Sequence, residues 1–149
     1  IKLQTIGKID MLPKKVVKEL IEVIEKTKNN TRLTLNLALN YGAREEIINA
    51  TRAISKKIVN NDLEIEEIDE NTINSHLYTF TLPVVDFLIR TSGERRISNF
   101  LLWQAAYAEF YFTETLWPDF DEQQFKKAVS TFSQRERRFG QTGEQIKRT

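Results

Sequence analysis

Arg90, Arg95 and Arg96 crowd one short segment, IRTSGERRIS, that also carries Gly93, Glu94 and Ser98. Guanidinium forks suit phosphate oxygens, which they can grip two at a time, and free N–H groups at the start of a helix favour the same charge. If a helix begins at Ser98, its hydroxyl can cap the first turn while Arg90 and Arg96 face an anion, and a diphosphate matches that much positive charge. Gly93 would allow a close approach of the backbone, and Glu94 could fix an arginine rotamer without touching the anion. The same residues are also compatible with arginines paired to neighbouring carboxylates on a solvated loop. For an Arg-rich turn judged on spacing alone, that reading is the commoner one.

Other chemistries find less support. The sequence has no cysteine, which removes disulfides, thiolate nucleophiles and cysteine-ligated zinc, and fits a reducing, cytoplasmic setting. His76 is the single histidine and has no second ligand at metal spacing, so a structural role is expected. Trp103 and Trp117 read as core aromatics. Glu109, on residues alone, is a carboxylate at the start of a strand. Basic and acidic residues number 22 and 21, a net charge of +1, so no general field recruits nucleic acid and any anion site must be local. No apolar run approaches the roughly 18 residues of a membrane span.

The elements that must position these residues can be read from hydrophobic periodicity. IKLQTIG alternates like a strand; Val16, Val17, Leu20, Ile21 and Ile24 then recur at helical spacing from Pro13 to Asn29-Asn30. In TRLTLNLALNYG, Leu33, Leu35, Leu37 and Leu39 form one face of a second strand. A helix from Arg44 to Val59 is expected to bury Ile47, Ile48, Ala50, Ile54 and Ile58, and ENTINSHLY to add a short one. Asp86 to Arg90 and Glu109 to Thr113 read as strands flanking a buried helix from Ser98 to Ala108. A final helix, capped by Asp119 or Asp121, turns Phe125, Ala128, Val129 and Phe132 inward and is expected to end near Gly140. Alternating strands and helices predict an α/β fold with a largely parallel sheet flanked by helices. Ligands of such sheets sit at the carboxyl ends of strands, and Arg90 is at one.

NYGAREEI, FLIRTSGERRISNFLLWQAAYAEFYF, TLWPDF and the closing RERRFG together resemble the C-terminal part of the cis-prenyltransferases, the family of the bacterial undecaprenyl diphosphate synthases, in order from about Ile1 to Gly140. The resemblance implies an undecaprenyl diphosphate synthase-like fold lacking its first strands, with residues 1–149 as the C-terminal portion of a single domain and 141–149 as a flexible tail. It implies that Arg90, Arg96, Ile97 and Ser98 bind the diphosphate of isopentenyl diphosphate, supported by Glu94. Glu109 matches a glutamate that helps to hold Mg²⁺, reaching it from the neighbouring subunit of a homodimer. Arg138 and Gly140 match a closing Arg-x-Gly element that reaches a partner's substrate site, although composition alone reads only a helix end with dipole-compensating arginines. Leu33, Leu35 and Leu37 match a strand lining the far end of a lipid tunnel, where strand periodicity alone reads ordinary core.

The implied reaction condenses isopentenyl diphosphate onto an allylic diphosphate to give a long-chain polyprenyl (undecaprenyl) diphosphate for cell wall biogenesis, with peripheral membrane contact only through the lipid product. The family's Asp-Gly-Asn-Gly-Arg-Trp loop, with its catalytic aspartate, is not in these residues and would precede Ile1, so this stretch alone is expected to be inactive. Three readings stand: part of a catalytic cis-prenyltransferase, a non-catalytic subunit assisting a catalytic partner, and an unrelated phosphate-binding α/β module. The first leads because the RTSGE segment and Glu109 are both present and no Walker-type glycine loop or basic stripe is.

Overall fold

The computed structural model describes residues 1–135, which fall into two compact units. Residues Ile1–Pro83 with Asn99–Leu101 form the first. Strand β1 (Lys2–Ile6) leads through a 3-10 turn to helix α1 (Lys14–Thr27), which starts directly after Pro13 as the fixed φ of proline favours. Strand β2 (Thr34–Ala38) returns parallel to β1, with Lys2 opposite Thr34 and Ile6 opposite Ala38. Helix α2 (Ala43–Val59) comes next, and a short α3 (Glu70–His76) is capped by the Asp69 carboxylate, which accepts from the Thr72 N–H at 2.7 Å. Those same Thr72 hydrogen bonds hold the Asp69 carboxyl below its ordinary value.

Helix α2 buries Ala50 and Ile54 and half-buries Ile47 and Ile58, as its periodicity suggested, but adds Ala43 and Glu46 to the buried face and leaves Ile48 out of it. Ile48 is 49% exposed. A carboxylate can occupy the core position because the Tyr41 hydroxyl and the Tyr78 N–H both donate to it.

The second unit comprises Val84–Ser98 and the described residues from Leu102 onward. Strand β3 (Phe87–Arg90) lies parallel to β4 (Glu109–Phe112), Phe87 opposite Glu109 and Arg90 opposite Phe112. Helix α4 (Glu122–Ser133) is capped by Asp121, whose Oδ1 accepts from the Gln124 N–H at 2.9 Å. It stops at Ser133, short of the expected end near Gly140, with Gln134 as its C-cap. Ala128 is fully buried, but Phe125 and Val129 are exposed. Phe132 stacks obliquely on Phe87 with ring centres 4.8 Å apart. The pairs β1/β2 and β3/β4 are both parallel, and helices α1, α2, α3 and α4 lie between or after them in the chain, which makes the fold α/β.

The helix expected from Ser98 to Ala108 does not form. Ser98, Asn99 and Leu101 take φ of 52°, 62° and 47°, a left-handed backbone that cannot begin a right-handed helix. The chain then runs through a series of tight turns, with the Ala108 N–H donating to the Ala105 carbonyl at 3.1 Å. Ser98 therefore caps no helix. The two tryptophans are not core either: Trp117 is 72% exposed and stacks on Phe120, and Trp103 is partly exposed. Among the described residues, no helix is long and apolar enough to cross a membrane.

Candidate anion-binding site

Arg90 closes β3, and the chain leaves the strand through a tight turn at Ser92-Gly93, both with positive φ, 67° and 70°. Two left-handed residues in succession favour glycine at one of them, and Gly93 supplies it. The turn is stapled to the exit of β4. Ser92 N–H donates to the Thr115 carbonyl at 2.8 Å, Gly93 N–H to the Thr113 carbonyl at 2.9 Å, and Thr113 N–H to the Arg90 carbonyl at 3.0 Å. A Cβ at Gly93 would lie 2.4 Å from Glu114 Oε2, the free end of an exposed side chain that would have to swing aside, so the positive φ is the stronger reason for glycine.

The arginines differ in their surroundings. Arg90 is half-buried, and its Nε is buried with no hydrogen-bond acceptor. A buried charged donor left unpaired costs about 1–3 kcal/mol or more, so such a group calls for an explanation, and an anionic ligand supplies one. The Arg96 guanidinium is exposed and pairs with the Glu94 carboxylate. Arg95 meets Glu114 at 3.6 Å, with both side chains largely in solvent, where such a pair contributes little. Ile97 is half-buried and Ser98 exposed, at the end of the same loop. Arg90, Glu94, Arg96, Ile97 and Ser98 thus share one strand-exit segment, without the helix N-terminus that the sequence suggested for it.

Glu109 opens β4 and is about a quarter exposed. Its Oε2 accepts from Arg135 Nη1 at 2.8 Å, and the same nitrogen donates to the Phe110 carbonyl at 2.8 Å. Among the described residues no group of three or more His, Asp or Glu converges as a metal site. Arg138 and Gly140 lie outside the described residues, as does the segment 141–149 expected as a tail. In the first unit, Leu35 and Leu37 lie on β2 and Leu33 just before it; Leu33 and Leu35 are exposed, at 57% and 48%, and Leu37 is half-buried. His76 Nδ1 is 2.7 Å from the Thr72 carbonyl one helical turn away, a local contact suited to a structural residue.

Two groups of residues escaped the sequence reading. The first centres on Glu46, 1% exposed, which accepts from the Tyr41 hydroxyl at 2.5 Å and from the Tyr78 N–H at 2.7 Å. Burial, and then the neighbouring Glu46, push the ionisation of Tyr41 well above the ordinary tyrosine value. The second is Asn99, which sits on the N-terminus of α2. Its carbonyl accepts from Ala43 N–H and its Oδ1 from Arg44 N–H, each at 2.9 Å. The signal for Asn99 was available: Gly42, at the N-cap position of α2, has no side chain with which to cap, so the acceptor had to come from elsewhere.

Known proteins resemble the chain over most of its length. A prenyltransferase family model described as "Putative undecaprenyl diphosphate synthase" matches residues 1–140. An isoprenyl transferase of Zymomonas mobilis is 53% identical over 138 residues, 93% of this chain and 56% of the relative. A ditrans,polycis-undecaprenyl-diphosphate synthase of Micrococcus luteus, specific for (2E,6E)-farnesyl diphosphate, is 47% identical over 140 residues, 94% of this chain and again 56% of the relative. The chain therefore spans a little over half the length of the curated relatives it matches. Among solved structures, lavandulyl diphosphate synthase from Lavandula x intermedia, in complex with dimethylallyl diphosphate, superposes with a TM-score of 0.89 at 38% identity, covering 94% of this chain and 60% of that one.

Proposed function

From the premise that this chain belongs to the undecaprenyl diphosphate synthase family, we propose that it forms the isopentenyl-diphosphate-binding part of a cis-prenyltransferase that extends an allylic diphosphate into a long-chain polyprenyl diphosphate, undecaprenyl diphosphate in the case its relatives favour. The observation that carries this reading is the buried, unpaired Nε of Arg90 at the carboxyl end of a parallel strand, in the segment that continues through Arg96 to Ser98. Parallel α/β sheets take ligands at such ends.

In this reading Arg90 supplies to the diphosphate a guanidinium whose Nε is already buried. Arg96 leaves Glu94, or shares it, to close on the other side, and Ser98 donates its hydroxyl. Because both arginines remain charged throughout, their work is to hold isopentenyl diphosphate with its double bond against the allylic carbon while negative charge gathers on the departing diphosphate. Ile97 packs beside the anion, and Leu33, Leu35 and Leu37 line the apolar channel whose bulk limits product length.

Glu109 would be one protein ligand for Mg²⁺ beside the phosphate oxygens, and its present partner Arg135 would have to yield. When bound, the ion would neutralise charge on the leaving diphosphate. Assembly as a homodimer, with Arg138 and Gly140 completing a partner's site, belongs to the same proposal, as does a cytoplasmic location.

The test is incorporation of labelled isopentenyl diphosphate by the full-length protein with Mg²⁺ and an allylic starter. Arg90→Ala should lower kcat/KM about a hundredfold or more and Arg96→Ala somewhat less, since loss of a charge-assisted ligand contact costs about 2–5 kcal/mol. Normal incorporation by both variants at low substrate would overturn the assignment.

A further inference from the structure

Helix α1 carries more apolar surface than its strand covers. It packs on β1, where the Thr27 hydroxyl accepts from the Leu3 N–H at 3.0 Å, and Val17, Leu20 and Ile24 are half-buried. Ile21, one turn beyond Val17, is 55% exposed. An open groove of about 440 Å³ runs along this side of the helix, with Leu12, Val17 and Ile21 as its apolar lining and Asp10, Lys14 and Lys18 as its charged lining. Spacings of three, four and seven place Val17, Lys18 and Ile21 on the same helix face as Lys14. All six residues belong to the first unit, so the groove lies within one compact body.

Charge is divided along α1. In its second half Glu22 pairs with Lys26 at 3.0 Å and Glu25 with Lys28, so the carboxylates nearest Ile21 are neutralised. In its first half Lys14, Lys15 and Lys18 pair with no carboxylate among the described residues, and the first turn holds no acidic residue. Glu19, the one carboxylate of that half, falls across the helix from Ile21. Cations at the positive end of a helix oppose its dipole, so these lysines do not serve the helix itself. Asp10 offsets one of them, and positive charge is left beside the apolar groove. The whole sequence carries a net charge of only +1, which makes this excess local.

We propose that this face of α1 docks on an anionic phospholipid surface, with Ile21 and Leu12 entering the boundary of the acyl chains and Lys14 and Lys18 meeting headgroup phosphates. Charge complementarity selects that occupant. A purely apolar partner would cover the groove and leave two ammonium groups short of water and counter-ion, whereas a negatively charged bilayer offers hydrocarbon and anion side by side. Lysine stems lie along apolar surface while their heads stay in the phosphate layer. One helix face of this size gives reversible adsorption, not anchoring. The protein itself makes this contact, independently of any lipid product and of the diphosphate reading.

Flotation of the full-length protein with vesicles tests the docking, using phosphatidylcholine alone and phosphatidylcholine with an equal part of phosphatidylglycerol. Wild type should partition onto the anionic vesicles only, and more weakly as salt is raised. Each lysine near an anionic surface contributes about fivefold in affinity, so Lys14→Glu with Lys18→Glu should weaken partition about twentyfold or more. Ile21→Ser should weaken it about tenfold through lost apolar burial. Asp10→Asn should strengthen it, a gain that no loss of folding can imitate. Lys56→Glu with Lys57→Glu, in the last turn of α2, makes the same change of net charge away from the groove and should leave partition near wild type. Circular dichroism confirms the fold of each variant.

Equal partition onto both vesicles, or onto neither, would overturn the docking. So would wild-type partition by the Lys14/Lys18 variant, an equal loss in the Lys56/Lys57 variant, or no gain in Asp10→Asn. Inorganic phosphate at matched ionic strength should leave vesicle binding intact; its abolition would assign the lysines to a soluble anion instead. A dimer that Ile21→Ser dissociates, without vesicle binding, would give the groove to a second copy of the chain. Pyrophosphate affinity should be the same in wild type and the α1 variants, so the diphosphate site stands or falls on its own measurements.

Discussion

The two parallel strand pairs end differently. Where β2 runs out, polar groups are engaged in pairs: Tyr41 and Tyr78 with Glu46, Asn99 with α2, and Lys8 with Glu45, a pairing that also raises the lysine's ionisation. Where β3 runs out, a buried guanidinium nitrogen has no acceptor and the neighbouring Arg95 and Arg96 are paired only on the surface. The same topology thus yields one end in which carboxylate, hydroxyl and amide satisfy one another and one end in which positive charge is left over. A charged donor deprived of water is tolerated where a ligand will complete it. The difference separates residues that hold the fold from residues proposed to take an anion, although both sets are charged and both come after a strand.

Substitutions test that contrast directly. The largest effect is expected at Glu46. Glu46→Ala leaves the Tyr41 hydroxyl and the Tyr78 N–H without their acceptor, and should cost about 2–4 kcal/mol in denaturant unfolding. A loss below the error of the measurement would mean that the β2 end is no tighter than the β3 end. Arg90→Met should do the opposite: it removes an unpaired buried donor while keeping much of the stem, so the ligand-free protein should hold its stability or gain up to about 1 kcal/mol, even as pyrophosphate affinity collapses. Marked destabilisation of the ligand-free variant would place Arg90 with the fold-holding residues and erase the contrast.

The smallest effect concerns pH. The Tyr41 proton is held more tightly in the folded state than at the ordinary value of 10.0, through burial first and Glu46 second. The stability this contributes is fully present below that ordinary value and is lost as pH rises past it toward the raised folded value. Urea midpoints taken on either side of the ordinary tyrosine value should fall for wild type, and Tyr41→Phe should show a shallower alkaline slope. Identical slopes for the two proteins would remove Tyr41 from the buried network.

Much of this architecture was legible in the sequence because period and punctuation agreed. Pro13 before α1, the alternating leucines of β2 and the Asp121 cap of α4 each announce their element locally. Local pattern misleads where tertiary partners override it. Apolar composition from Phe100 onward looks helical, yet the backbone of Ser98, Asn99 and Leu101 turns left-handed where Asn99 engages α2. Glu46 in the core was equally hidden, since a carboxylate can be buried only if distant donors meet it, and Tyr78 is far along the chain. At the candidate site, Arg90 and Arg96 were visible by residue type, whereas the unpaired Nε that sets Arg90 apart is a property of packing.

The loop after β3 opens against the exit of β4, where the Thr113 and Thr115 carbonyls accept from the Gly93 and Ser92 N–H groups. Because that loop is clasped at its start by carbonyls of the segment leaving the neighbouring strand, it is not a portable cassette. Grafted onto another scaffold without a parallel neighbour to offer those two carbonyls, the segment would keep every arginine and lose the turn that gives them their spacing.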